Sequence, residues 1–374
     1  MILGVSAEQE ELRASVRRFL TDRAPLSRVR ALMDDGETDW AVWEQAGSQL
    51  GLQGLAIPES YGGAGFSFAE QAVVLEEFGA ALYGGPYLAS AVLAATALLA
   101  SPDEGARRGL LPDIASGQTV ATLAFAEDGG SWDPAAIRLS AVKDGPGVDG
   151  AWRLDGHKSF VLDGATAGLI LVVATTDAGL SLFAVEGDAA GLSRAALPAL
   201  DQTRQLARLE FAGVTGRLIG SPGDGAAALD RALDVAAVAL AAEQLGGAQR
   251  ALDMAVEYAK VRRQFDRPIG SFQAIKHRCA DLLLEVESLR SAVGYAAAAV
   301  AEDSAEIPVL ASLVKAYASE TYFHVAAENI QIHGGIGFTW EHDAHLYFKR
   351  AKASELFLGD GAYHRERLAN RIGL

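Results

Sequence analysis

Residues 258–273, YAKVRRQFDRPIGSFQ, and residues 331–339, QIHGGIGFT, decide the fold, because each closes a long run of helical periodicity. Apolar residues recur at helical spacing over 227–262, 272–303 and 308–332. The proline of the first segment and the paired glycines of the second break that period. The last third of the sequence therefore predicts three long helices joined by these two segments.

Short β-type runs precede the long helices. Runs rich in apolar residues cover 119–125, 152–154, 158–162, 169–174, 182–185 and 208–211. The turn pairs Asp155-Gly156 and Asp163-Gly164 separate neighbouring runs, which predicts tight hairpins. No Gly-x-Gly-x-x-Gly sequence follows a strand, so a Rossmann dinucleotide site is disfavoured.

The first third of the chain has helical patterns and begins with the spacing of a capping box at Ser6 and Gln9. We therefore predict an α+β fold in three parts. These are an N-terminal helical domain (1–118), a middle antiparallel β domain (119–224) and a C-terminal helical bundle (225–374).

Composition narrows the classes of function. The 374 residues include 32 Lys and Arg against 48 Asp and Glu, a formal net charge of −16. Nucleic acid and anionic membranes are unsuitable partners for such a chain. One cysteine cannot form an internal disulfide, and the most apolar stretch, 87–100, is too short to span a bilayer. We therefore expect a cytoplasmic protein without a membrane span. His342 and His345 have the spacing of two metal ligands, but two histidines alone are too few for a metal site.

Five segments resemble the acyl-CoA dehydrogenase family, whose members use FAD to oxidise acyl-CoA thioesters to enoyl-CoA. Besides the two segments quoted first, they are 57–65 (IPESYGGAG), 126–131 (AEDGGS) and 156–164 (GHKSFVLDG). The resemblance covers nearly the whole chain. It implies an acyl-CoA substrate, electron transfer to an electron-transfer flavoprotein, and either a homo-oligomer (dimer or tetramer) or a heterotetramer.

The resemblance also implies residues that contact FAD. Guanidinium groups suit a pyrophosphate, and glycines let a flat cofactor approach the backbone, although a basic helix end and a glycine cap are the ordinary alternatives. The residues implied in the two long-helix segments, some of them facing the flavin of a partner subunit, are Arg262, Gln264, Phe265, Gln273, Gln331, Gly334 and Gly335. In the β domain they are Ala126, Ser131 and Phe160, the last aligned with an aromatic residue beside the flavin ring.

The general base departs from the usual family pattern. Leu358 occupies the position at which most members carry Glu, and Ala236 aligns with a second position used by others. Glu243 lies seven residues, about two helical turns, beyond Ala236 and is expected on the same helix face within an apolar run. Burial there would favour a general base, so we predict Glu243, with Glu355 and Asp360 as fallbacks. The alternative is a Glu on a solvated helix face.

The segment 126–131 departs from the family as well. Ala126 replaces a hydroxyl residue that hydrogen-bonds the flavin, and Asp128 replaces a proline. Two alternatives to a dehydrogenase therefore stay open. One is a non-catalytic or half-site subunit of a heteromeric acyl-CoA dehydrogenase, and the other is a related flavin-dependent oxidase or monooxygenase.

Overall fold

A computed structural model describes residues 6–145 and 151–374 of the chain. Contacts divide the chain into two compact units. The helical unit comprises the residues up to Asp35, Phe68–Tyr83 and Ala237–Leu374. The mixed unit comprises Gly36–Ser67 and Gly84–Ala236. The predicted boundaries at 118/119 and 224/225 stay predictions, because this division follows contacts and not the order of the sequence.

In the described chain, helices precede and follow one block of strands. They are α1 (Ala7–Arg23), α2 (Leu26–Asp35), α3 (Trp40–Leu50), α4 (Phe68–Ala81), α5 (Ala95–Ala100), α6 (Glu104–Ala115), α7 (Gly225–Val261), α8 (Gln273–Ala301), α9 (Ile307–His333), α10 (Ala344–Leu356) and α11 (Gly361–Arg371). A π-helical stretch, Leu88–Ala94, precedes α5. The predicted capping box is present: Ser6 and Gln9 exchange side-chain and backbone hydrogen bonds at the start of α1.

The helical unit is built on a close crossing of α4 and α7. A Cβ added at Gly79 would lie 1.8 Å from the carbonyl oxygen of Glu243, and one added at Gly246 would lie 1.7 Å from that of Glu76. Real Cβ atoms do not approach other atoms so closely, so the two backbones can touch only because both positions are glycine. This crossing fixes the part of α7 that carries Glu243.

The mixed unit holds the strands β1 to β7. They are β1 (Ala121–Ala124), β2 (Ser140–Lys143), β3 (Ala151–Leu162), β4 (Leu169–Thr176), β5 (Gly179–Glu186), β6 (Leu192–Ala196) and β7 (Leu206–Ile219). The pairings run β1-β4-β2-β3-β7-β5, and β5 also pairs with β4, so the sheet closes on itself.

Two strand pairings differ from the antiparallel sheet that the sequence predicted, and the shorter one joins β2 to β4 in parallel, with Ser140 opposite Thr175. β1 pairs with β4 in parallel, with Ala121 opposite Leu169 and Ala124 opposite Val172. Parallel strands need a long crossover connection, and β2 and β3 lie within the connection between β1 and β4. The tight hairpins predicted at Asp155-Gly156 and Asp163-Gly164 are wrong. In the described strands, β3 runs unbroken through 155–156, and β3 and β4, which flank 163–164, do not pair with each other. Turn residues indicate only local reversals, so they gave no sign of the crossover. Among the described residues, no helix is long and apolar enough to cross a membrane.

Candidate functional site

The segment after α7 carries exposed polar side chains that make no hydrogen bond or ion pair within the described chain. It forms a small hairpin of β8 (Arg263–Gln264) and β9 (Arg267–Pro268). Arg262, Gln264 and Gln273 are exposed, and within 6–145 and 151–374 their side chains have no hydrogen-bond or ion-pair partner. Phe265 is 85% exposed, with its backbone in the left-handed region at φ 50°. Such a surface suits contact with a ligand or another chain, since exposed cations and a large apolar ring are presented together.

The end of α9 offers open backbone. Gly334 has φ 66° and ψ −143°, a conformation essentially restricted to glycine. A Cβ at Gly334 or Gly335 would meet nothing within 4 Å, so packing within the described chain does not explain these glycines. Gln331 is exposed beside them. Open backbone lets a flat cofactor approach closely and an exposed guanidinium suits a pyrophosphate, so these residues fit the FAD contacts that the family resemblance implies.

In the mixed unit, a break in strand register places Phe160. The β3–β7 register shifts between Lys158 and Val161, and Phe160 takes φ 58° there. Its ring is half-buried and lies 6.2 Å from the ring of Trp132, so it is not an ordinary core residue of the strand. Ala126 is buried, and its carbonyl accepts a hydrogen bond from the backbone of Ser159. These features fit an aromatic surface beside a flavin ring.

Ser131 and the departures in segment 126–131 have local explanations. Ser131 is exposed, and its hydroxyl accepts a 3.2 Å hydrogen bond from the backbone of Asp133. Asp128 accepts hydrogen bonds from Arg208, at 3.0 Å, and from the Ser159 hydroxyl. These two contacts lower the pKa of Asp128 to about 2. Position 128 therefore carries a fixed negative charge that is matched by an arginine of β7.

The sequence did not lead us to expect a buried ion pair that joins segment 126–131 to segment 156–164. Lys158 is fully buried, and its ammonium donates to the carbonyl of Phe125 and to the Glu127 carboxylate, both at 2.9 Å. Burial lowers the pKa of Lys158 to about 8, although Glu127 opposes the shift. The signal was present, since Glu127 and Lys158 both lie in the quoted motifs. The pair anchors segment 126–131 to the strand that carries Phe160.

Glu243, the predicted base, forms a buried ion pair. Its Oε1 lies 2.5 Å from Nη1 of Arg350, and the two residues are 6% and 2% exposed. The burial expected of Glu243 from the apolar run around it is found in the structure. The α7 sequence gave no sign of its partner, a guanidinium that α10 supplies from 107 residues away. The role of Glu243 as a base stays a prediction.

The two fallback carboxylates also have partners. Glu355 pairs with Lys352 at 2.9 Å, and Asp360 caps α11 by accepting from the backbone of Tyr363 at 2.8 Å. Between them Leu358 is buried, with φ 61°. All three candidate carboxylates therefore have structural contacts within the chain. Within the described ranges, no group of three or more His, Cys, Asp or Glu could hold a metal ion.

Comparison with known proteins identifies the family. Three domains of one family match in order: acyl-CoA dehydrogenase N-terminal domain at 6–118, middle domain at 122–214 and C-terminal domain at 223–373. The acyl-CoA dehydrogenase IpdE2 of Mycobacterium tuberculosis is 37% identical over 94% of this chain and 93% of its own length.

Two solved structures are similar over their whole length. A variant of the Tcur3481-Tcur3483 steroid acyl-CoA dehydrogenase has a TM-score of 0.89 and 35% identity, covering 99% of each chain. The ChsE4-ChsE5 complex of Mycobacterium tuberculosis has a TM-score of 0.89 and 30% identity, covering 100% of this chain and 99% of the other. With the matching domains, these likenesses confirm the predicted fold class and show that the chain belongs to the acyl-CoA dehydrogenase family of flavin-dependent oxidoreductases.

Proposed function

We propose that this chain takes part in the α,β-dehydrogenation of an acyl-CoA thioester to the enoyl-CoA, with electrons passed to an electron-transfer flavoprotein. The observation that carries the proposal is the unpartnered set of Arg262, Gln264 and Gln273 together with the open glycines 334–335. The name of the steroid acyl-CoA dehydrogenase at 35% identity supports a steroid-derived acyl group as the substrate class.

When bound, FAD would accept the hydride from the β-carbon. The residues of this chain would bind and cover the cofactor and take the α-proton. Arg262, Gln264 and Gln273 would contact the FAD of a partner subunit, with Arg262 at its pyrophosphate. Gln331 would donate to the adenine and pyrophosphate end of an FAD, and Phe160 would lie against a flavin ring. Phe265 would cover the cofactor from the neighbouring subunit, because its ring projects almost fully from its own chain.

We further propose Glu243 as the base that takes the α-proton. The α C–H bond breaks as the hydride leaves the β-carbon, and the proton goes to the Glu243 carboxylate. Arg350 supports this role by fixing the orientation of the carboxylate, since its Nη1 lies 2.5 Å from Oε1 of Glu243. The same ion pair also supports a purely structural role, so the experiment must separate the two.

Glu243→Gln should slow bleaching of the bound flavin by a steroid-type acyl-CoA by ~10²–10⁴-fold while flavin and thioester still bind. Arg350→Lys keeps a cation beside Glu243 and is the control. It should lower the melting temperature, while bleaching stays close to the wild-type rate. If Glu243→Gln bleaches at the wild-type rate while Glu355→Gln or Asp360→Asn does not, the base lies in the link between α10 and α11.

The second candidate is a subunit without its own catalysis, paired with a complete dehydrogenase chain. Alanine at 126, leucine at 358 and three partnered carboxylates favour it. Two similar structures are named as pairs, ChsE4-ChsE5 and Tcur3481-Tcur3483. The chain purified alone should then show no flavin absorbance. If flavin is bound but no thioester bleaches it, Leu358→Glu should supply the missing base and create measurable turnover. If Glu243 already acts as the base, the same substitution should raise turnover little.

A further inference from the structure

The helical unit contains a lysine with no access to solvent. Lys315, in the middle of α9, is 0% exposed. Its ammonium donates to the hydroxyl of Ser319 at 2.9 Å and to two backbone carbonyls, that of Glu355 at 3.1 Å and that of Gly359 at 2.9 Å. An ammonium has three N–H groups, and at least three acceptors lie within hydrogen-bond distance of this one. Two of these bonds hold the end of α10, at Glu355, and the link that follows it, at Gly359.

That link has an unusual backbone conformation. Leu358 lies in the left-handed region at φ 61°, which is unfavourable for a residue that carries a Cβ atom. Gly359 follows at φ 105°. The carbonyl of Leu358 accepts a 3.0 Å hydrogen bond from Nε2 of His364, a residue 1% exposed. Side chains from α9 and α11 therefore hold the carbonyls of three residues, 355, 358 and 359. Local propensity does not produce this turn, so these tertiary contacts must stabilise it.

The same network reaches α7. Ser319, which accepts from Lys315, also accepts a 3.3 Å hydrogen bond from the side chain of Gln244. Gln244 is the neighbour of Glu243 in the sequence. The hydroxyl of Ser319 thus joins the α7 segment carrying one candidate base to the turn that carries the others.

We propose that Lys315 is a positioning residue for the acyl-CoA site. It holds the α10–α11 turn in the left-handed form, and so gives the side chain at 358 and the carboxylate of Asp360 one fixed orientation. The proposal rests on the proposed function, because it is the acyl-CoA substrate that makes this turn part of a binding site. A lysine kept only for packing could be replaced by methionine, which has a similar length, without releasing the turn.

The test is Lys315→Met in the full chain, with Lys143→Met, which removes an exposed ammonium, as the control. Hydrogen–deuterium exchange over 355–362 should rise at least tenfold in Lys315→Met and stay unchanged in the control. Exchange in α8 and in the second half of α9, residues 321–333, should stay near the wild-type rate. Binding of a steroid-type acyl-CoA thioester, measured by calorimetry, should weaken about tenfold only in Lys315→Met.

Exchange that rises equally throughout α9, α10 and α11, or that does not rise at 355–362, would overturn the proposal. So would an unchanged thioester affinity in a protein whose wild type binds the thioester. If the wild type binds no thioester, the proposed function fails, and the exchange result alone decides whether Lys315 fixes the turn. Should Lys315→Met not fold, Lys315→Gln, which keeps a donor for one carbonyl, is judged by the same exchange criterion.

Discussion

His364 should make the protein lose stability in mild acid. Burial, and then the nearby Lys315 charge, lower the pKa of His364 to about 3, against 6.5 for an ordinary histidine. The unfolded chain therefore binds a proton at a higher pH than the native protein does. The stabilising effect of the neutral native ring is complete above pH 6.5 and is lost as the pH falls from there toward 3. For these two pKa values the loss at pH 5 is about 2 kcal/mol.

Urea unfolding of wild type and His364→Gln at pH 7.5 and pH 5 measures this effect. The glutamine amide can still donate toward the Leu358 carbonyl but does not titrate. Wild type should lose about 2 kcal/mol more than His364→Gln between the two pH values. Burial also lowers the pKa values of His333, His342 and His345, but these residues are present in both proteins, so their contributions cancel in the comparison. Equal losses in the two proteins would refute the assignment of a depressed pKa to His364.

Two further predictions concern the helix crossing and the cofactor segment. Gly79→Ala should destabilise the chain in urea by about 3 kcal/mol or leave it unfolded, because its Cβ would overlap the carbonyl of Glu243; Gly294→Ala, which meets no atom within 4 Å in α8, should change stability by less than ~1 kcal/mol. A Gly79→Ala protein as stable as Gly294→Ala would contradict this crossing. Arg262→Ala should weaken FAD binding ~10–100-fold without a change in melting temperature, while the exposed Arg18→Ala leaves FAD bound; full flavin retention by Arg262→Ala would remove Arg262 from the site.

The long helices were predictable because their signals are local. The predicted run 227–262 is found as Gly225–Val261, and 308–332 as Ile307–His333. Proline in the first turn and glycine after the last are read directly from neighbouring residues. Arg262, Gly334 and Gly335 were selected for a different reason, since the order and spacing of their segments match a family pattern, and their contact with FAD stays a prediction.

The partners of the buried charges were not predictable. Arg350 reaches Glu243 across 107 residues, and Lys315 reaches the Gly359 carbonyl across 44. Periodicity along α7 or α9 indicates which face is buried but not which distant side chain meets it. The parallel pairing of β1 with β4 escaped prediction for the same reason, since it depends on a crossover and not on a turn.

The two fully buried lysines give each compact unit its own chemical reporter. Lys158 belongs to the mixed unit and Lys315 to the helical unit, and each is 0% exposed. An amine-reactive ester can acylate either lysine only when the surrounding unit opens, whereas an exposed lysine such as Lys143 reacts at once. Mass spectrometry of peptides carrying the three lysines would thus follow the opening of the two units separately, in one sample, without any substitution in the chain.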